Sequence, residues 1–252
     1  MSRFIDKLNQ VSQAIQPIGF KAAQSVSGKP RMQLIASLAQ INVGSLAGAD
    51  AGLLRISKLS SGAKTLEKMC QVASDIPWGG WLREVGSEGL KQVVKAGCDF
   101  VVFSAANTSL AVLQDDEVGK ILEVETSLSE GLLRAVNELS VDAVLIAGEQ
   151  EREYPLTWHH LMLFQYLAGL LTKPLLVSIP SNVTANELQA LWEAGVSGVV
   201  VELGGEQPGE RLAALRREID KLTLPPSRKG EKARALLPHI GGETGITTED
   251  EE

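Results

Sequence analysis

Several carboxylates and one arginine stand where short apolar runs end, and together they could bind an anion and move a proton. Leu53-Leu54-Arg55-Ile56-Ser57-Lys58 is one such run. Read as a strand, it puts Leu54 and Ile56 on one face and Arg55 on the other, because successive side chains alternate. In Ile121-Leu122-Glu123-Val124-Glu125, Leu122 and Val124 share a face, and Glu123 and Glu125 share the opposite one. Val199-Val200-Val201-Glu202 ends on a carboxylate, and Ala147-Gly148-Glu149 does the same. If the apolar faces meet a helix layer, Arg55, Glu123 and Glu125 point into a shared interior. Unpaired charges there are expensive, so they must pair with one another, a metal or a ligand. The functional reading is a carboxylate-lined pocket in which Arg55 and Lys58 partner an anion. Glu123, Glu125 or Glu202 would then act as general base or hold Mg²⁺. The bland reading is a buried Arg55–Glu pair stitching the fold, or a strand face turned to solvent. Both readings stay open.

Other residues bear on the same site. Trp78-Gly79-Gly80-Trp81 holds two of only 11 aromatics, and Trp78 could wall the pocket against a planar ligand, or simply pack in the core. Leu203-Gly204-Gly205-Glu206 precedes a helical pattern, so Gly204 and Gly205 could present backbone N–H groups to an anion, although Glu206 would repel it. Ser181 and Asn182 could add hydrogen bonds. His159 and His160 open a long helical pattern. Adjacent helical residues face about 100° apart, so capping or packing is favoured over a shared site. No Lys lies within an inner strand, which argues against a Schiff-base aldolase. No GxSxG, HExxH or Walker A pattern appears.

The elements that must position these residues form a series. Apolar, β-branched runs predict strands near 33–39, 51–56, 76–82, 99–104, 120–125, 141–147, 174–179 and 197–202. Helical patterns lie near 61–73, 87–96, 108–117, 128–139, 156–172, 184–194 and 208–221. A degenerate repeat supports the alternation. Gly48-Ala49-Asp50, Ala96-Gly97-Cys98-Asp99, Ser140-Val141-Asp142 and Ala194-Gly195-Val196-Ser197 each end a helix and lead into a buried strand. Some carry a Gly able to take the left-handed conformation there. Eight such units predict a (β/α)8 TIM barrel over 32–221, with sites at the strand C-terminal ends. An open doubly wound sheet is the alternative. The first unit is the weakest, since its helix must be short.

Phe4, Ile5, Leu8, Val11 and Ile15 form one helical face, so residues 1–31 read as a helical extension packed on the barrel or closing its bottom. Residues 222–252 read as a disordered, acidic-ended tail whose Ala235–Ile240 stretch could dock a partner. With 24 Lys+Arg against 31 Asp+Glu, the net charge of −7 argues against a broad nucleic-acid footprint. Cys70 and Cys98 read as core thiols of a reduced compartment, and no Cys/His cluster suggests zinc. No signal-peptide core and no membrane-spanning run is visible, so a cytoplasmic address is expected.

Trp192-Glu193-Ala194-Gly195-Val196-Ser197-Gly198-Val199-Val200-Val201 resembles the last βα unit of the aldolase-type, phosphate-binding TIM barrels. That group includes thiamin-phosphate-synthase-like, tryptophan-biosynthesis and FMN-dependent barrels. Where such families carry Gly-Gly-Ile after strand 7, this chain has Pro180-Ser181-Asn182-Val183; after strand 8 it has Glu202-Leu203-Gly204-Gly205 in place of Gly-Ser. The resemblance implies a barrel over about 32–221 binding a small anionic metabolite at its mouth, with lyase or isomerase proton chemistry if catalytic. A non-catalytic barrel acting as a scaffold or regulatory partner through its tail (residues 235–252) is the competing reading, and either reading allows a homo-oligomer. An FMN-dependent oxidoreductase is a third, and would be yellow.

Overall fold

In a computed structural model of the chain, the structure describes residues 2–15, 31–38, 46–56, 59–83, 86–110, 112, 117–147, 155–203 and 208–223. Eight strands pair in parallel in chain order and close on themselves. They are β1 (Gln33–Leu38), β2 (Ala51–Ile56), β3 (Trp78–Leu82), β4 (Phe100–Ser104), β5 (Gly119–Val124), β6 (Ala143–Ile146), β7 (Leu175–Ile179) and β8 (Gly198–Glu202). The last strand returns to the first, with Ser37 beside Glu202. The helices are α1 (Arg3–Ile15), α2 (Leu59–Val72), α3 (Ser87–Lys95), α4 (Glu130–Val136), α5 (Trp158–Leu170), α6 (Ala185–Glu193) and α7 (Pro208–Lys221). The chain is therefore a (β/α)8 barrel. None of its described helices is long and apolar enough to cross a membrane.

Alternation along each strand divides the apolar residues into two cores. Ile35, Leu53, Val102, Ile121, Leu145, Leu176 and Val200 fill the barrel. Leu54, Ile56, Val101, Leu122, Val124, Val177, Val199 and Val201 face the helices. The barrel's lower end is closed by α1, whose Phe4, Ile5 and Leu8 pack against the inner core. Phe4 lies on Phe100 with centroids 4.6 Å apart. Gly79 and Gly119 make room for this plug: a Cβ on the first would run into the Phe100 ring, and one on the second into Ile5. Asp99 anchors the plug, accepting from the Ser2 hydroxyl at 2.7 Å and the Phe4 N–H at 3.0 Å.

The repeated helix-end sequences fold alike. Gly48, Gly97 and Gly195 all have φ between 88° and 104°, the left-handed conformation that glycine adopts freely. The residue that follows each turn donates its N–H back to the preceding strand at 2.8 Å: Asp50 to Leu34, Asp99 to Trp78, Asp142 to Lys120 and Ser197 to Leu175. Two of these aspartates also receive the N–H of that strand residue, Leu34 to Asp50 and Lys120 to Asp142. The internal repeat is thus a repeated hydrogen-bond device that sets strand register.

Two expectations change. The helix expected at 108–117 does not form among the described residues. A 3-10 turn spans Ala105–Asn107 and Thr108 is extended. The Thr108 hydroxyl is buried with no hydrogen-bond partner among the described residues, so it caps no helix start, and Leu110 is exposed rather than packed. A lysine does fall within a strand, since Lys120 is buried in β5. It shares its side with Leu122, which packs toward the helices, so it does not line the barrel. The readings placed on 16–30, on the short first helix between β1 and β2 within 39–45, and on the tail from 224 onward lie outside the described residues.

Burial pushes the Cys98 thiol far up, and raises that of half-buried Cys70 less strongly. Cys98 also donates to the Phe100 carbonyl at 2.9 Å. At pH 8 a disulfide reagent should therefore find Cys98 silent and Cys70 slow, with both reacting fast in denaturant. Rapid native labelling of two thiols per chain would contradict this packing.

Candidate functional site

At the strand C-terminal ends the inward-facing set becomes polar. Following alternation, the residue above Leu176 is Ser178, above Val200 is Glu202, above Ile35 is Ser37, above Leu53 is Arg55, and above Ile121 is Glu123. β7, β8, β1 and β2 are neighbours in that order. Ser178, Glu202, Ser37 and Arg55 therefore form one arc, which Trp81 of β3 continues.

Trp81 organises the charged part. Its indole Nε1 donates to Glu123 Oε2 at 2.8 Å. Its ring face carries the Arg55 guanidinium, 4.5 Å from the centroid. One side chain thus holds the cation on its π face and the carboxylate on its edge. Arg55 Nη2 approaches Glu202 Oε2 at 3.4 Å, longer than a good N–H···O bond of about 2.7–3.2 Å. Among the described residues Arg55 Nε has no partner although it is buried, and the Ser37 and Ser178 hydroxyls are in the same condition. Each such group costs about 1–3 kcal/mol until something satisfies it. The three lie at one mouth, on β7, β1 and β2.

The sequence-derived residues divide accordingly. The structure brings Arg55, Glu123 and Glu202 together. Glu125 lies just past the end of β5, exposed, and accepts from Ser127 at 3.3 Å, so the alternation that would turn it inward has lapsed. Trp78 is not at the mouth. It begins β3 at the opposite end, buried among helix-facing residues, and donates Nε1 to the Ala73 carbonyl at 3.0 Å. Its ring covers Gly52, where a Cβ would come within 2.6 Å. Trp78 and Trp81 lie three residues apart and so face opposite sides of the sheet; the aromatic wall is Trp81. Ser181, past β7, accepts from Arg211 Nη1 at 3.1 Å, and Asn182 is exposed beside it. Lys58, Gly204 and Gly205 lie outside the described residues.

His160 caps its own helix. Its Nδ1 accepts from the Thr157 N–H at 3.1 Å, while the Thr157 side chain accepts from the His160 N–H. His159 is exposed. Among the described residues no three His, Cys, Asp or Glu side chains could hold a metal ion together. Ser37, Ser178 and Arg211 carry no site signal in the sequence reading, and Trp81 enters it only beside Trp78, as half of a possible aromatic wall. The signal available for the serines was their two-residue spacing from Ile35 and Leu176.

No family model matches the chain, and no curated protein matches it by sequence. Solved structures do match it. A 3-keto-L-gulonate-6-phosphate decarboxylase from Vibrio cholerae superposes with a TM-score of 0.61 at 14% identity, covering 77% of this chain and 99% of that one. A mutant tryptophan synthase α-subunit from Pyrococcus furiosus gives 0.60 at 14% identity, covering 76% and 98%. This chain shares their barrel fold, as the resemblance read from Trp192–Val201 implies.

Proposed function

We propose that the barrel binds a small anionic metabolite at its C-terminal mouth, with Arg55 as the anion's principal partner. The observation that supports this most is the partnerless, buried Nε of Arg55 in an arc with the Ser37 and Ser178 hydroxyls. An incoming oxyanion has the acceptors that these three donors need. Glu202 is the counter-ion that holds Arg55 at 3.4 Å until the ligand takes its place. Glu123 is the proposed proton acceptor. Trp81 donates to one of its oxygens and so fixes the carboxylate's orientation, and the second oxygen is the one that would take the proton. The resulting chemistry would be proton abstraction of the lyase or isomerase kind. A phosphate is the anion we favour. The decarboxylase that superposes on this chain is named for a sugar phosphate. Arg211 and Ser181 add a cation and a hydroxyl between the end of β7 and the first turn of α7. The loops after strands 7 and 8 are the usual phosphate position in this fold.

Native mass spectrometry of the full chain, purified under mild conditions, tests the proposal. We expect an adduct with the mass of a small phosphorylated or carboxylated compound, displaced by excess inorganic phosphate. A bare mass that stays bare in the presence of millimolar phosphate would count against the anion site. It would favour the scaffold reading.

A further inference from the structure

α5 is built differently from the helices around it. Among the described helices it alone contains no Asp, Glu, Lys or Arg. Its inner side packs normally, with Phe164 and Leu167 buried. Its outer side carries a stripe of large, mostly apolar side chains, with exposed His159 and Gln165 at its edges. Trp158 is 81% exposed, Met162 67% and Tyr166 48%. Their spacing of four residues lines them up along one face of the helix. Gly169 lies on the same face, with open space where a Cβ would be. A helix with no charged residue and large apolar side chains on both its inner and outer sides suits a buried setting, and among the described residues nothing covers Trp158 or Met162.

We propose that this face is the twofold contact of a homodimer, α5 packing antiparallel against α5 of a second copy. Three observations select a second copy. The stripe is symmetric in kind about its centre: aromatic, methionine, aromatic. A twofold axis through Met162 would set Trp158 against Tyr166 of the partner subunit, and the same pairing recurs on the other side, as an isologous contact requires. The face carries no formal charge, so a partner with the same net charge of −7 can approach without desolvating a like-charged group. The area also fits. The three side chains expose on the order of 400 Å² of mostly apolar surface. A standard interface buries about 800 Å² per partner, a little over half of it apolar. Tyr166 tethers the stripe's edge, donating to Glu130 at 3.3 Å, and Arg134 holds Glu130 at 2.7 Å. That ion-paired border supplies a polar rim. Gly169, which weakens an exposed helix by about 1 kcal/mol relative to Ala, has a use here in letting two backbones come close.

The test is sedimentation or light scattering of the full chain at roughly 50 µM, where a stable dimer would be fully formed. The expected mass is twice the 27.0 kDa of one chain. Met162→Glu places two like charges at the axis and should weaken the dimer by on the order of 100-fold, leaving the circular-dichroism spectrum unchanged. Met162→Cys keeps the face apolar and should cross-link to its own copy on mild oxidation. A monomeric wild-type chain overturns the proposal. So does a dimer that survives Met162→Glu, or one that persists while Met162→Cys fails to cross-link.

Discussion

Asp50→Ala should cost the fold about 3–5 kcal/mol, because it strands a buried cation. Asp50 sits in the Gly48 turn at the lower end of the barrel, and almost all of it is buried. Its Oδ2 accepts from the Leu34 N–H at 2.9 Å and from Arg216 Nη1 at 2.7 Å, and its Oδ1 from Arg31 at 3.2 Å. It therefore joins three parts of the chain: the start of β1, the turn before β2, and α7. Arg216 is as buried as Asp50. Its remaining ion-pair partner, Asp220, is half exposed and shared with Arg31. Without Asp50 the Arg216 guanidinium stays in a low-dielectric site with its counter-charge screened by solvent, and the Leu34 N–H loses a side-chain acceptor. The loss should lower the unfolding midpoint by roughly 6–20 °C, read by thermal circular dichroism. Asp50→Asn keeps an acceptor for Leu34 but drops the charge, so it should fall between the two. A midpoint for Asp50→Ala within about 2–4 °C of wild type, some 1 kcal/mol, would show that Asp220 suffices for Arg216 and that the network is decorative.

Asp50 also shows why the fold was legible in the sequence. The helix-end turns recur with the same residue kinds because each performs the same bonding, so the repeat could be found without coordinates. Strand faces were legible where polar and apolar residues alternate. Arg55 between Leu54 and Ile56, and Glu123 between Leu122 and Val124, could point only one way once the apolar residues faced the helices. Trp78-Gly79-Gly80-Trp81 has no such alternation. Which tryptophan lies inside depends on Gly52, a residue on the next strand whose missing side chain admits the Trp78 ring. Ser37 and Ser178 were passed over because a hydroxyl in an apolar run reads as ordinary strand. Their lack of partners is a property of the assembled barrel alone. The segment around Leu110 has helical spacing, but spacing says nothing of whether the fold gives Leu110 a surface to pack on, and Leu110 is left exposed. The apolar character of α5 was visible as a run too short to span a membrane. That its outward half stays uncovered among the described residues required the fold.

Arg55→Met separates the two readings of the mouth, because one predicts a large loss of stability and the other almost none. If Arg55 is a structural cation, losing it should destabilise the barrel much as Asp50→Ala does. The geometry argues otherwise. Its partner Glu202 is half exposed and 3.4 Å away, a pair worth at most about 1 kcal/mol. The contact over the Trp81 ring contributes about 0.5–1 kcal/mol more, and a methionine keeps part of it, since its sulfur and methylenes can lie on the same ring. Against these stands the buried Nε, which has no acceptor among the described residues, a liability of about 1–3 kcal/mol that the substitution removes. The terms nearly cancel, so stability should stay within about 1 kcal/mol of wild type, or rise slightly. Anion affinity should not survive. Losing the guanidinium should weaken inorganic phosphate or the co-purified ligand by about 100-fold, near 3 kcal/mol. Thermal unfolding with and without phosphate reads both quantities in one experiment. A midpoint that holds while the phosphate-induced rise disappears is the expected pattern, and is that of a group kept for binding at some cost to the fold. A large fall in the midpoint would make Arg55 a structural stitch. A phosphate response equal to wild type would remove it from the site.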